Sequence, residues 1–415
     1  VSGRPRLDAP ALDHLNAERA AGRPLGVAVS GGSDSTALLL LLSDIFGADA
    51  LRAVTVDHGL RSEAADEARA VSRLCAARDI PHDTLRWEGW TGQGNLQDQA
   101  RRARYGLLTD WAAGQGVAAV ALGHTQDDNA ETFVMGLARG AGLDGLTGMR
   151  PGFRRDGVTF LRPLLGTRRE ALREYLRGQG VGWCDDPSNE DPAYDRVRVR
   201  RALATLEELG IGAAHLSRSI ANLRDTRAAL ARTLADWARV HVAQDRGDLL
   251  IDAGGLGGLP PDMARRLLNA ALRWVSGADY PPRAESVMQI VTSPSVDRTL
   301  HGCLLRGDGA RLRISREPEA AKRAGSVATT ALWDGRWRLD GPHAPELDVS
   351  ALTEADLPLC PDWRDTGLPR ASLAASPAVR RGGELVAAPL AGLRDGWSAE
   401  LANGRDDFAA AGFSH

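Results

Sequence analysis

Six consecutive small or acidic residues, Ser30-Gly31-Gly32-Ser33-Asp34-Ser35, stand between the apolar run Leu25 to Val29 and the largely apolar stretch Thr36 to Phe46. A segment of this kind between a strand and a helix exposes backbone N–H groups at the positive end of the helix dipole, where an anion can be held. The glycines allow close backbone approach, the hydroxyls add donors, and Asp34 can hold a cation that bridges phosphates. The bland alternative is an ordinary Gly/Ser-rich turn, but all six residues in this context favour a phosphate loop.

Three further groups could do chemistry. Asp57-His58-Gly59-Leu60-Arg61 closes the next apolar run, where polar side chains can face a nucleotide. On a helix beginning near Asn95, Gln97, Arg101 and Arg104 share a face at i, i+4 and i+7, with Tyr105 and Leu108 on an adjacent stripe; Arg104 could neutralise a phosphate or a base oxygen, and the alternative is a solvated face. Gly123-His124 ends another strand, and Asp127, Asp128 and Glu131 follow within about a turn of helix. Those acids could simply favour the helix dipole or could ligate a metal with His124, although a single imidazole makes a poor zinc site. An acidic site for a cationic substrate group and Mg²⁺ is the favoured reading. From Arg150 to Arg201 twelve arginines face eight acids, a basic stretch suited to a phosphodiester backbone or to a surface of paired charges.

The elements that must position these residues alternate. Strands are expected at Leu25–Val29, Leu51–Val56, Thr84–Trp87 and Val117–Leu122, and helices at Thr36–Phe46, Ala64–Arg78, Leu96–Gly114 and Asp127–Ala138. This is an α/β pattern, a parallel doubly wound sheet whose ligands collect at the carboxyl ends of the strands. Beyond Arg150, Phe160–Leu165 reads as an edge strand, Arg168–Arg177 as a helix and Asp185–Asp195 as a polar loop. Residues from about Glu207 to Trp274 read as mainly helical, Glu317–Gly325 as a linker, and Trp333–Leu339 and Glu384–Ala388 as strands of a small α+β C-terminal domain with a disordered tail. The expected boundaries are 1–205, 206–316 and 326–415.

Composition narrows the chemistry. Of 51 basic residues only Lys322 is lysine, which removes covalent nucleotidyl-lysine ligases, Schiff-base enzymes and Walker A NTPases. Cys75, Cys184, Cys303 and Cys360 lack the spacing of a zinc knuckle or a redox dithiol and fit a reduced, cytoplasmic protein. No apolar stretch approaches the roughly 20 residues of a membrane span.

The hexapeptide resembles the PP-loop of the N-type ATP pyrophosphatases, which cleave ATP between its α and β phosphates. Taken in order with Asp57–Arg61, Arg104-Tyr105, Gly123-His124, Asp127-Asp128, Glu131-Thr132, Arg162-Pro163-Leu164-Leu165 and Asp185-Asp186-Pro187-Ser188-Asn189, it resembles the tRNA(Ile)-lysidine synthetases over about the first 200 residues. The resemblance implies that ATP adenylates the C2 oxygen of the wobble cytidine of tRNA(Ile) with a CAU anticodon, and that free L-lysine then displaces AMP. By the same resemblance Ser30, Gly31, Gly32, Ser33, Asp34, Ser35, Asp57, His58, Gly123 and His124 bind ATP. Asp34 holds Mg²⁺, Arg104 assists adenylation, Asp128 and Glu131 receive the lysine, and Arg196, Arg198 or Arg200 completes the site or contacts tRNA.

Residues 1–205 then form the catalytic PP-loop domain, 206–316 a helical tRNA-binding domain and 326–415 an acceptor-stem-binding domain; a homodimer is the working expectation for assembly. Val197 departs from the family, which commonly has Asn after the first arginine of the basic motif. Three alternatives stay open: a PP-loop tRNA thiolase, which would want paired cysteines; a small-molecule amide ligase, which would ignore RNA; and a silent RNA-binding module, against which the acids argue.

Overall fold

The computed structural model describes residues 4–59, 64–90, 96–184, 195–278, 280–293, 297–402, 405 and 407–413. Leu60, Arg61, Asn95, Asp185 to Asn189 and the side chain of Gln97 lie outside the described residues. The chain divides into two compact units, Val1–Arg227 and Ala228–His415.

In the first unit β1 (Leu25–Ala28) lies between β2 (Leu51–Asp57) and β4 (Ala119–Leu122), with β3 (His82–Arg86) outside β2 and β6 (Val158–Leu161) outside β4. These five strands run parallel, Leu25 facing Leu51 on one side and Ala119 on the other, and β5 (Gly152–Arg155) closes the edge antiparallel to β6. All residues of β1 and β4 are buried, as strands covered on both faces must be. Leu25 and Val27 pack with α1 (Ala9–Ala20), α2 (Ser33–Phe46) and α3 (Ala64–Ala76), while Ala28 packs with Tyr105, Leu108 and Trp111 of α4 (Leu96–Gly114) on the opposite face. Ala37 to Leu42 of α2 are all buried, so this helix is apolar all round because α7 (Arg169–Gly178) covers its outer side with Leu172 and Leu176.

From β1 the chain winds outward to β2 and β3, then returns to the other side of β1 to form β4. Strand order therefore reverses between β1 and β4, and open α/β sheets bind ligands at that reversal, beyond the carboxyl ends of the strands. The two segments that leave there carry Ser30–Ser35 and Gly123–Asp128. After β4 come α5 (Gln126–Ala138) and the short α6 (Leu143–Leu146), and α8 (Asp195–Glu208) follows α7.

Several expectations shift. β3 starts at His82, whose Nε2 lies 2.8 Å from Thr55 Oγ1, a tertiary contact that extends the strand two residues earlier than Thr84. Phe160–Leu165 is not an edge: Val158–Leu161 is internal, and the edge strand is Gly152–Arg155, whose arginines hide its alternation.

A long helix, Ala213–His241, runs across the boundary of the units. Within the second unit, five antiparallel strands between Val242 and Arg316 pack with helices Pro261–Ser276 and Ala284–Thr292, so strand interrupts the stretch read as mainly helical. The stretch read as a linker forms the helix Pro318–Arg323, with Ala321 fully buried. The tail is ordered at Phe408–Ala411, where Phe408 is buried against Trp274 and Phe413. Trp337–Asp340 pairs with Ser398–Leu401, and Glu384–Ala387 belongs to a four-stranded sheet. No helix among the described residues is long and apolar enough to cross a membrane.

Candidate active site

Gly31 has φ of +88°, a backbone state that favours glycine, and it bends the chain out of β1 into α2. The loop is braced by its own hydroxyls: Ser30 N donates to Ser35 Oγ at 3.0 Å, Ser35 Oγ donates to the Gly32 carbonyl at 3.2 Å, and Ser33 Oγ donates to Asp34 Oδ1 at 3.0 Å. The N-cap residue of α2 is Gly32, which has no side chain to cap the first-turn N–H groups, a helix start suited to an anion. Cys184 N donates to the Gly31 carbonyl at 2.9 Å, placing that residue beside the loop. Gly123, at the end of β4, lies so close to the start of α2 that a Cβ there would stand 2.8 Å from Ser35 Cα. Glycine at 123 is what lets the end of β4 meet the start of α2.

Thr125 caps α5 through a reciprocal arrangement with Asp128. Asp128 Oδ2 accepts from both the Thr125 N–H and the Thr125 hydroxyl, each at 2.8 Å, and the Asp128 N–H donates back to Thr125 Oγ1 at 3.3 Å. Oδ1 of Asp128 is thereby turned over to other partners. Glu131, one turn on, is 1 % exposed, and its Oε2 has no hydrogen-bond partner among the described residues. Asp127 takes a different path, accepting from the Arg169 N–H at 2.7 Å at the start of α7.

One side chain joins the loop to the acids. Arg169 Nε donates to Asp34 Oδ2 at 2.9 Å, its Nη2 donates to Asp128 Oδ1 at 3.1 Å, and its Nη1 lies 3.8 Å from Glu131 Oε1. Arg200 of α8 donates from Nε to the same Glu131 Oε1 at 2.6 Å. Three carboxylates thus share two guanidinium groups. Burial acts first on all of them. It raises the carboxyls of Asp34 and Glu131 above their usual range despite Arg169 and Arg200. For Asp128 burial is outweighed by Arg169 and the Thr125 hydrogen bonds, so its carboxyl is held below the usual range. Arg169 is held protonated beyond its ordinary value, Asp128 and Asp34 overcoming burial.

A second wall is basic and aromatic. Arg162 is buried, lies with its guanidinium 4.9 Å from the Phe153 ring centre and donates from Nε to His124 Nδ1 at 3.3 Å. Burial, then the charge of Arg162, push His124 down to about 3, with Arg104 and Arg196 adding to the effect, so the imidazole is neutral at physiological pH. Arg104 is half-buried, and burial lowers its pKa. Its charge, after burial, also lowers His58, whose ring meets Trp87 edge-on at 5.9 Å and whose Nδ1 is buried without a partner among the described residues. Asp57 accepts from the Gly59 N–H at 2.8 Å and shapes the turn that carries His58.

Of the expected residues, Asp34, Asp128 and Glu131 from the strand reversal and Arg200 from α8 share one cluster, and the charges of Arg104 and Arg196 act on His124. Arg198 is exposed and pairs with Asp195, because α8 turns it away from the face shared by Arg196 and Arg200 at i, i+4. Val197 is buried. Arg169 is the residue that sequence reasoning missed. Its signal was indirect: three buried carboxylates need a counter-charge, but nothing in their spacing says which of the twelve arginines between 150 and 201 supplies it. Among the described residues no group of three or more His, Cys, Asp or Glu could hold a metal alone. Asp34 offers a single carboxylate, the setting in which magnesium relies on phosphate oxygens and water for its other ligands.

A model of the PP-loop domain matches residues 8–207. The chain is 51 % identical to the tRNA(Ile)-lysidine synthase of Ruegeria pomeroyi, covering 97 % of this chain and 98 % of that protein. It is 41 % identical to the enzyme of the same name from Hyphomonas neptunium over 71 % of this chain and 82 % of that one. Among solved structures, the U34-tRNA thiolase NcsA of Methanococcus maripaludis overlaps loosely, with a TM-score of 0.41 and 18 % identity over 51 % of this chain and 78 % of that one. With a relative half identical along nearly its whole length, and with the loop and the acids meeting at the strand reversal, the chain belongs to the tRNA(Ile)-lysidine synthases.

Proposed function

We propose that the cluster at the strand reversal joins free L-lysine to C2 of the wobble cytidine of tRNA(Ile) with a CAU anticodon, in two displacements. In the first, the cytidine O2 attacks the α-phosphorus of ATP and pyrophosphate leaves. In the second, the lysine ε-amine attacks C2, the C2–O bond breaks, AMP leaves and the amine proton passes to a base. Activation must come first because the oxygen on C2 is a poor leaving group and AMP is a good one.

The chain's own residues take the following roles. The uncapped N–H groups of α2 hold the triphosphate, Asp57, His58, Gly123 and His124 line the nucleotide, and Arg104 stabilises charge on the phosphorus as it is attacked. Asp34 would hold magnesium, whose charge would help to neutralise the triphosphate. Asp128 and Glu131 receive lysine, and Glu131, its carboxyl raised by burial, is the better proton acceptor of the two. Arg200 orients Glu131, and Arg196 and Arg198 meet RNA from the same helix. By the same reading residues 206–316 and 326–415 bind tRNA, the latter at the acceptor stem, in a cytoplasmic enzyme.

One observation supports this above the rest: residues from the loop after β1 and from α5 after β4 touch a single side chain, at 2.9 and 3.1 Å. A phosphate site and a cation site separated by one guanidinium suit the transfer of an activated base to an amine. The test is nucleoside analysis of the cognate tRNA after incubation with enzyme, ATP and labelled lysine. Label at the wobble position is the expected result, and its absence with all three substrates present rejects the reading.

A further inference from the structure

Arg169 occupies the positions that the proposed substrates need. The oxygens of the acids can be assigned one by one. Asp128 Oδ2 is taken by Thr125, and its Oδ1 accepts from Arg169. Glu131 Oε1 accepts from Arg200 and faces Arg169, while Oε2 is buried without a partner. Asp34 Oδ2 accepts from Arg169, and its Oδ1 accepts from Ser33. Among the described residues, Glu131 Oε2 is the one of the four oxygens of Asp128 and Glu131 without a partner, so an ammonium entering this cluster finds one open acceptor while Arg169 stays in place.

Resting on the reading above, we infer that Arg169 is a positioning residue that sets the order of binding. It holds Asp34, Asp128 and Glu131 together until the metal–nucleotide arrives, and the lysine subsite opens only when it lets go. The physical reason is charge. Lysine alone would exchange one monovalent cation for another and leave a guanidinium in a largely buried site without its carboxylates, a costly state. A magnesium–triphosphate does two things that lysine cannot. Its divalent ion competes for Asp34, and its phosphate oxygens give the displaced guanidinium a bidentate partner of matching geometry. Nucleotide and lysine therefore bind with positive coupling, which keeps the amine out of the acidic cluster until ATP is in place.

The test uses the full chain, radiolabelled lysine and a non-hydrolysable α,β-methylene analogue of ATP with magnesium, in equilibrium dialysis. For the wild type the analogue is expected to tighten lysine binding by about tenfold or more, and lysine must tighten the analogue by the same factor. In Arg169→Gln the factor falls to near one because lysine binds without nucleotide; in Arg169→Lys, which keeps the charge, much of the dependence returns. A brace with only a structural role would weaken lysine binding in Arg169→Gln and leave the factor as it was, which overturns the inference. So does a wild type that binds lysine equally well with and without the analogue, a measurement that stands even if Arg169→Gln fails to fold. If no lysine is retained under any condition while cognate tRNA still releases pyrophosphate from ATP, the lysine assignment itself fails and takes the inference with it.

Discussion

Both units bury arginine–carboxylate clusters, and they bury them differently. In the second unit Arg316 grips Asp334 with two nitrogens at 2.9 and 2.7 Å while the fully buried Arg336 adds a third contact at 3.3 Å. Arg313 likewise bridges Asp248 and Asp245 at 2.7 and 3.0 Å, and Asp248 also accepts from Ser372 at 2.6 Å. In the first unit one guanidinium is stretched over three carboxylates at 2.9, 3.1 and 3.8 Å, and one carboxylate oxygen is stranded. Buried charge is therefore not in itself a sign of chemistry. Incomplete pairing, with one long contact and one carboxylate oxygen lacking a partner among the described residues, is the better sign, since it leaves the cluster ready to exchange partners.

The comparison can be broken most sharply at its two aspartates. Asp34→Ala is expected to lower turnover by about 10³-fold with tRNA affinity unchanged, read by pyrophosphate release and filter binding. Asp334→Ala, which strands Arg316 and Arg336, should cost about 3 to 5 kcal/mol of stability in urea unfolding, with the adenylation rate per folded molecule unchanged. Were Asp334→Ala harmless to stability but damaging to turnover, the contrast between the clusters would collapse.

A smaller effect separates two acids of the same site. Glu131→Gln should lower turnover by about 10²-fold. Its stability runs the other way. Because burial raises the Glu131 carboxyl, the folded chain keeps that proton to higher pH than the unfolded chain; the stability linked to it is complete below about pH 4.3 and is lost as pH rises through the raised value. Removing the titration should therefore leave Glu131→Gln at least as heat-stable as the wild type at about pH 8 and remove that advantage in acid. Asp128, held low by Arg169 and Thr125 against burial, has the opposite sign: its stability is present at neutral pH and is lost as pH falls through the lowered value. Asp128→Asn should accordingly melt earlier at neutral pH, by about 1 kcal/mol for the damaged cap alone. Calorimetry across pH checks both.

The smallest effect is expected on α8. Arg198→Ala removes an exposed pair and should change stability by less than about 0.5 kcal/mol, and should lower the salt slope of tRNA binding by about 1. Arg200→Ala, two residues away, should instead reduce turnover, because Glu131 loses its closest partner. Equal effects at 198 and 200 would mean that the helix face does not discriminate.

Much of the first unit was legible in the sequence because its signals are local. Val- and Ala-rich strands, an apolar α2 and small residues after β1 are each decided by neighbours in the chain. Signals set by tertiary structure were not legible. The arginines of Gly152–Arg155 mask a strand that only pairing with Val158–Leu161 reveals. Pro318–Arg323 looks polar, yet Ala321 is buried in a cluster with Trp333, Val349 and Trp397, far along the chain. Arg169 is the same case in the site, since its acids lie 135, 41 and 38 residues away.

The contact at Gly123 has one more consequence. Glycine leaves the two backbones with no side chain between them to act as a cushion: a Cβ at 123 would stand 2.8 Å from Ser35 Cα and 2.9 Å from Ser35 N. Any inward pull on Ser35 as the loop closes on phosphate would press backbone on backbone, like adjoining cogs, and would reach Thr125 and Asp128 within a few bonds. A single methyl group at 123 would disengage the gear.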